Sequence, residues 1–224
     1  MNTKFLITAD SNRSALLKKK IIHYYIANGD ATIAELCKEM DLSIPTVTKL
    51  VGELLDDGYI LDFGKQETNG GRKPNIYGLN PVSGYFVGVD VFRSKINIAA
   101  VDFKGDKLRV EENIPYSLEN TPEALEMLCN LINDFIDRLS VPREKVLAVG
   151  VNISGRVNPV SGYSYSIFYF EEKPLSQILE ERIKIKIYIE NDTRAMMYGE
   201  YMQGVVKGEK NILFINMGWG LGLS

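Results

Sequence analysis

Two amphipathic helical patterns near the beginning of the chain are joined by only three residues, "DLS" at 41–43. In the first pattern, "TIAELCKEM", Thr32 is followed three residues later by Glu35, which is the spacing of a capping box at a helix N-terminus. The second pattern, "SIPTVTKLVGELLDDG", repeats apolar residues with the helical period; we expect Ser43 to cap it and Gly58 to end it. So short a connection between two helices is typical of a helix-turn-helix unit.

In a helix-turn-helix, the second helix enters the major groove of DNA with its N-terminal residues foremost. Here that helix begins with small and polar side chains and one cation, while its apolar stripe falls on the opposite side. The residues of this helix that are predicted to contact DNA are Ser43, Pro45, Thr46 and Lys49. A plain three-helix bundle, with the preceding pattern "SALLKKKIIHYYIANG" as its first helix, remains the alternative for this segment.

The stretch that follows, "YILDFGKQETNGGRKPNIYGLNP", predicts two strands joined by a glycine-rich tip. A β-hairpin directly after a helix-turn-helix is a wing, so residues 1–80 are predicted to form a winged helix-turn-helix DNA-binding domain. At the tip, Arg72 and Lys73 are predicted to contact DNA, because an arginine at such a tip can reach into the narrow minor groove. A solvated turn is the alternative for these two residues. A phosphate-binding loop is a weak alternative, since the stretch does not join a strand to a helix and lacks the Walker spacing.

After residue 80 the pattern changes to that of an α/β domain. Three strand patterns with short turns come first, and helices then alternate with apolar strands such as "KVLAVGVNIS" and "IKIYIE". Glycines and carboxylates follow several of these strands, where open α/β sheets bind their ligands. These strand-end residues are Asp90, Gly155, Asn191, Asp192, Gly218, Gly220 and Gly222.

The order of these motifs resembles the ROK family, which groups sugar-responsive repressors and sugar kinases. The stretches that carry the resemblance are the helix-turn-helix, the "GGRKP" wing, "GVDV…AAVDFKGD", "AVGVNISGRV", "PLSQILEERI", "IENDTRAMMYGE" and "MGWGLG". The resemblance implies an actin-like (ribonuclease-H-like) fold. Residues 81–210 would then form the first lobe, and residues 211–224 the start of a second lobe that is truncated in this chain.

The resemblance also implies roles for individual residues. Asp192 matches the aspartate that acts as general base on the sugar hydroxyl in ROK kinases, and Asn191 matches a ligand of a sugar hydroxyl. Gly155 lies in the loop that lines the sugar cleft. A carboxylate beside the amides of a helix N-terminus stays ionised and can accept a hydrogen bond from a sugar hydroxyl. A simple helix cap is the alternative for Asn191 and Asp192, and both roles can hold together.

The nucleotide-binding motifs of the family are altered in this chain. Asp90 matches the start of the first phosphate hairpin, and Ser94 keeps a hydroxyl there, but Phe92 and Arg93 replace the usual glycines. The second phosphate loop would contain Gly218, Gly220 and Gly222, with Trp219 where a small hydroxyl residue is usual. Bulky side chains fill the space where backbone amides must approach phosphate, and phosphate clamps supply much of phosphoryl-transfer catalysis.

The altered phosphate-binding motifs favour a transcriptional regulator, most simply a repressor, over a kinase. Its degenerate kinase lobe would sense a sugar or sugar phosphate, and its N-terminal unit would bind a double-stranded DNA operator. We expect it to act as a homodimer or higher homo-oligomer. An ATP-dependent sugar kinase with a DNA-binding extension is the alternative. ATP and Mg²⁺ are expected only in that case. The family's zinc motif is absent from this chain, so we expect no metal site.

Charge and cysteine content limit the remaining choices. A net charge of −3 gives no general attraction for nucleic acid, so DNA binding must come from local arrangement. Cys37 and Cys129 form no metal-binding or redox spacing. No signal peptide opens the chain and no apolar run approaches the ~20 residues of a membrane helix. We therefore expect reduced thiols, no membrane partner and a cytoplasmic location.

Overall fold

The computed structural model describes residues 12–65, 74–206, 209–217 and 220–224. Four residues that the sequence singles out, Arg72, Lys73, Gly218 and Trp219, lie outside these ranges. The chain divides into two compact units, one formed by Met1–Tyr85 with Val101–Asp106 and the other by Phe86–Ala100 with Lys107–Ser224. None of the described helices combines the length and the apolar character that crossing a membrane requires.

The first unit is a winged helix-turn-helix. Its elements are α1 (Arg13–Asn28), β1 (Ala31–Thr32), α2 (Ile33–Met40), α3 (Ile44–Asp56), β2 (Ile60–Lys65) and β3 (Asn75–Leu79). The predicted hairpin of β2 and β3 is confirmed as an antiparallel pair. Strand β1, which has only two residues and was not predicted, pairs with β3 and completes a three-stranded sheet in the order β1-β3-β2.

Helix α3 contributes four buried residues to the hydrophobic core of this unit. Its residues Val47, Leu50, Val51 and Leu54 are buried, as the apolar period predicts. Helix α3 contacts both other helices of the unit. The buried stripe fixes the orientation of the helix, so its polar side must face away from the core.

The predicted caps differ in outcome. Thr32 forms the capping box: its hydroxyl accepts a hydrogen bond from the Glu35 amide at 3.3 Å, and the Glu35 carboxylate accepts one from the Thr32 amide at 2.8 Å. The Thr32 amide, and the Thr32 hydroxyl at 2.9 Å, both donate to the Glu35 carboxylate and lower the pKa of Glu35 below its ordinary value. The prediction for Ser43 is wrong in part. Ser43 occupies the N-cap position, but its side chain makes no capping bond, because its hydroxyl is paired with that of Thr46 at 2.9 Å.

The second unit is an α/β domain. Its strands are β4 (Tyr85–Val91), β5 (Lys95–Asp102), β6 (Lys107–Pro115), β7 (Val146–Ile153), β8 (Val157–Asn158), β9 (Tyr163–Ser164), β10 (Ile187–Asn191), β11 (Ile215–Met217) and β12 (Leu221–Leu223); its helices are α4 (Pro122–Asp137), α5 (Leu175–Ile183) and α6 (Asp192–Gln203). The first residue of β4 and the last two residues of β5 belong to the first unit. The main sheet has the order β10-β7-β4-β5-β6, and short hairpins are formed by β8 with β9 and by β11 with β12.

Strands β7 and β10 position the functional residues of this unit. They run parallel, with Asn191 paired with Ile153, so both strands end at the same edge of the sheet. The first four residues of β7 are all buried, as a continuous apolar run predicts for a strand covered on both faces. The loop after β7 and the start of α6 are therefore brought side by side.

Candidate functional site

The predicted DNA-contacting residues of α3 lie together on its exposed side. Ser43, Pro45, Thr46 and Lys49 are all exposed. The Lys49 side chain retains 78% of its accessible surface, and its Nζ lies 3.9 Å from Glu53. Such a cation is positioned to reach a phosphate without first breaking a close ion pair.

Glu53 is held more tightly by another lysine. Lys18 on α1 lies 2.8 Å from the Glu53 carboxylate and 3.5 Å from Asp57, and its own side chain is only 13% exposed. This hydrogen bond from Lys18 is the main reason why the pKa of Glu53 is lowered. Lys18 thus ties α1 to α3, and Lys49 is the more available of the two cations.

The base of the wing is fixed by Asp62. Its carboxylate accepts hydrogen bonds from the Gly64 amide at 2.8 Å and from the Asn75 side chain at 2.7 Å. Gly64 has φ of +83°, and the strand register shifts between Asp62 and Lys65. The predicted tip residues Arg72 and Lys73 lie outside the described residues, so their DNA contacts stay predictions.

In the second unit, Asn191 links the end of β10 to the loop after β7. Its side-chain oxygen accepts a hydrogen bond from the Arg194 amide at 3.1 Å, which makes it the N-cap of α6. Its side-chain nitrogen donates to the Gly155 carbonyl at 3.0 Å and to Asp192 Oδ1 at 2.9 Å. The three predicted sugar-site residues, Gly155, Asn191 and Asp192, are therefore in one hydrogen-bonded group.

The carboxylate of Asp192 is oriented by its neighbours. Its Oδ1 accepts a hydrogen bond from the Thr193 amide at 2.8 Å as well as the bond from Asn191. Asp90, at the end of β4, is partly buried, and this burial together with the charge of Asp192 raises the pKa of Asp90 from 3.8 to about 6. The pKa of Asp90 thus responds to a carboxylate that is about a hundred residues away in the chain.

A cleft of about 530 Å³ opens beside this group. Its lining consists of Gly155, Arg156, Val157, Tyr165, Asn191, Arg194 and Leu223. Gly155 has φ of +92°, and a side chain there would collide with Ser166. The Tyr165 ring is stacked 6.2 Å from that of Tyr163 and is half exposed, so it offers an apolar face to a ligand.

Sequence reasoning missed the cleft residues Arg156, Tyr165 and Arg194. Arg156 follows Gly155 directly, which was a usable signal. Arg194 is held by Glu190 at 2.7 Å, one helical turn earlier, and by the Val157 carbonyl at 2.9 Å. Tyr165 gave no signal, because the loop that carries it has no periodic pattern.

The first phosphate hairpin has its own internal bonds. The Phe92 amide donates to the Lys95 carbonyl at 2.9 Å, and the carbonyls of Arg93 and Ser94 accept bonds from residues 118 and 116. Lys95 donates to Asn113 at 2.6 Å and lies 5.4 Å from the centre of the Phe92 ring. The Phe92 amide is therefore not free to bind phosphate.

The second glycine loop lies against α6. A side chain at Gly222 would collide with the buried Thr193, whereas one at Gly220 would meet open space. Asn216 on β11 also donates to the Thr193 hydroxyl at 3.4 Å. The hairpin is thus packed next to Asn191 and Asp192. Among the described residues, no three His, Cys, Asp or Glu side chains are grouped to hold a metal ion.

Comparison with known proteins gives matches for both units. The ROK family profile matches residues 86–224, and a winged helix-turn-helix DNA-binding profile matches residues 16–60. The xylose repressor of Bacillus subtilis is 24% identical over 208 residues, which are 92% of this chain and 54% of that protein. A glucokinase of Streptomyces coelicolor is 31% identical over 141 residues, 62% of this chain and 42% of that protein.

A solved structure shows the same fold. The crystal structure of a ROK family transcriptional regulator, a homologue of the E. coli MLC protein, superimposes with a TM-score of 0.70 at 21% identity, covering 93% of this chain and 54% of that one. The chain spans about half the length of the curated relatives that it matches.

Proposed function

The chain belongs to the ROK family, and from this premise we propose that it is a sugar-responsive DNA-binding transcriptional repressor. The observation that carries the proposal is the winged helix-turn-helix unit, whose helix α3 buries its apolar stripe and leaves Ser43, Pro45, Thr46 and Lys49 exposed.

Each exposed residue has a distinct proposed role on DNA. Lys49, with its loose pairing to Glu53, would neutralise a phosphate or contact a base edge. The hydroxyls of Ser43 and Thr46 would bond to a phosphate or a base, since hydroxyls both donate and accept. Arg72 and Lys73 would extend the contact from the wing tip. Together these contacts would give local attraction to DNA despite the net charge of −3.

The cleft of the second unit is the proposed sugar site. Asn191 and Asp192 would bind sugar hydroxyls, and the half-exposed Tyr165 ring would cover an apolar face of the sugar. Because the Bacillus relative is a xylose repressor, xylose is the first effector to test. Binding of the sugar to one arrangement of the protein more tightly than to another would change the fraction that is competent to bind DNA.

Selection of binding sites from random 40-base-pair duplexes tests the DNA-binding proposal. The selected duplex should bind the chain more tightly than a scrambled duplex of equal composition, measured by fluorescence anisotropy. Addition of xylose should then weaken binding to the selected duplex. Equal affinity for selected and scrambled duplexes would count decisively against a repressor.

A sugar kinase is the second candidate, favoured by one observation: Asp192, next to the cleft residue Asn191, has its Oδ1 hydrogen-bonded to the Asn191 side chain and the Thr193 amide, which would orient the carboxylate of a general base. A coupled assay of ADP release with xylose, glucose and N-acetylglucosamine would detect this activity. We expect no turnover, because the Phe92 amide is bonded within its own hairpin. Turnover that is lost in Asp192→Asn would establish the kinase instead.

A further inference from the structure

Ile44, the first residue of α3, is an apolar side chain in an otherwise polar surface. It retains 63% of its accessible surface, whereas Val47, Leu50 and Leu54 on the same helix retain between 0% and 4%. Ile44 lies three residues before Val47 and seven before Val51, at the edge of the buried stripe, and it stays exposed at the N-terminal end of the helix. Isolated apolar residues are common on protein surfaces, so its meaning depends on what this surface meets.

The neighbours of Ile44 are the proposed DNA-contacting residues. Pro45 follows it directly, and the Ser43 and Thr46 hydroxyls are hydrogen-bonded to each other at 2.9 Å beside it. This bond uses one of the two hydroxyl hydrogens, so only one hydroxyl hydrogen of the pair is left to donate to a base. Lys49 supplies a flexible point charge, which suits a phosphate better than a particular base.

We propose that Ile44 contacts the C5 methyl group of a thymine in the major groove and so determines part of the operator sequence. The inference rests on the proposed function of α3 as the helix that enters the groove. Among the four bases, thymine alone presents a methyl group on the major-groove edge, and apolar side chains contact it. The β-branched side chain of isoleucine is stiff, and the backbone of Ile44 is held in the first turn of α3. Both features place the apolar surface at a defined position.

The test uses the duplex obtained by selection from random sequences, with each thymine replaced in turn by deoxyuridine. This change removes the methyl group and keeps base pairing. In the wild-type chain, one position in each bound site should lose about fourfold in affinity, the equivalent of burying one methylene-sized group. In Ile44→Ser that same replacement should have no further effect. Val82→Ser is the matched control, because Val82 is 54% exposed in the same unit and should keep the full deoxyuridine penalty.

The outcomes separate the inference from the proposed function. If the selected duplex binds tightly but no deoxyuridine position matters, the inference is wrong and DNA binding stands. A penalty that persists in Ile44→Ser would assign the methyl contact to another residue and also refute the inference. If no duplex is bound in preference to scrambled DNA, the proposed function and the inference fail together. Circular dichroism of Ile44→Ser should match the wild-type chain, because the side chain is exposed.

Discussion

Replacement of Asn191 should weaken the second unit at the place where its candidate site is assembled. The side chain caps α6 through the Arg194 amide and donates to the Gly155 carbonyl and to Asp192. Loss of an N-cap costs about 1 kcal/mol, and loss of the hydrogen bonds to the exposed Gly155 carbonyl and the part-buried Asp192 carboxylate costs about 1 kcal/mol more. Asn191→Ala should therefore lower the free energy of unfolding of the second unit by about 2 kcal/mol.

Asn191→Ser separates the two contributions. Serine keeps a capping oxygen and loses the amide nitrogen, so we expect a cost of about 1 kcal/mol, carried by the lost bonds to Gly155 and Asp192. Because the chain has two units, hydrogen–deuterium exchange is preferable to a global melt. Peptides that cover β7, β10 and α6 should lose protection about fivefold in the serine variant and about 30-fold in the alanine variant.

Peptides of the first unit serve as the internal control and should not change. If serine and alanine have the same effect, the cap contributes nothing and the reasoning about α6 is wrong. If serine exchanges like the wild-type chain, the bonds to Gly155 and Asp192 have no energetic role, and the group of three sugar-site residues is not held as we describe.

Three further predictions concern single residues in the two units. Lys49→Ala should weaken DNA binding and lower the slope of log affinity against log salt by about 1, as loss of one phosphate contact requires; an unchanged slope would place Lys49 off the phosphates. The pKa of Asp90 is raised from 3.8 to about 6 in the folded protein, so the folded state binds the proton more tightly than the unfolded state. Lowering the pH from 7 to 5 should therefore stabilise the second unit by about 1 kcal/mol relative to Asp90→Asn. This stabilisation is complete below about pH 4 and is lost as the pH rises through 6. Thermal melts of both proteins across this range measure it, and parallel pH profiles would refute it. Gly222→Ala should destabilise the unit by about 1–3 kcal/mol through its collision with Thr193, while Gly220→Ala, which meets open space, should match the wild-type melting temperature.

Local sequence patterns predicted most of the first unit. The capping box at Thr32 and the stripe of α3 depend on residues within two helical turns, so their outcome needs no distant partner. Strand β1 was missed because two residues carry no period, and only pairing with β3, more than forty residues away, makes them a strand. Ser43 failed as a side-chain cap because Thr46 offered its hydroxyl a competing partner.

The candidate site was predictable only in part. The strand-to-helix junction marked Asn191 and Asp192, since an Asx residue at that junction is a strong local signal. The cleft needed three separate segments, and nothing local indicates that Tyr165 and Leu223 line the same space as Asn191. The raised pKa of Asp90 likewise depends on burial and on Asp192, which the sequence places far away.

Competition between the selected duplex and its scrambled counterpart, measured by anisotropy at several salt concentrations, tests the central claim most directly. We expect a preference on the order of a hundredfold or more for the selected duplex. Lys49→Ala should weaken binding to both duplexes by a similar factor. Equal affinity for the two duplexes at every salt concentration would contradict it, because the exposed side of α3 would then have no role in reading DNA.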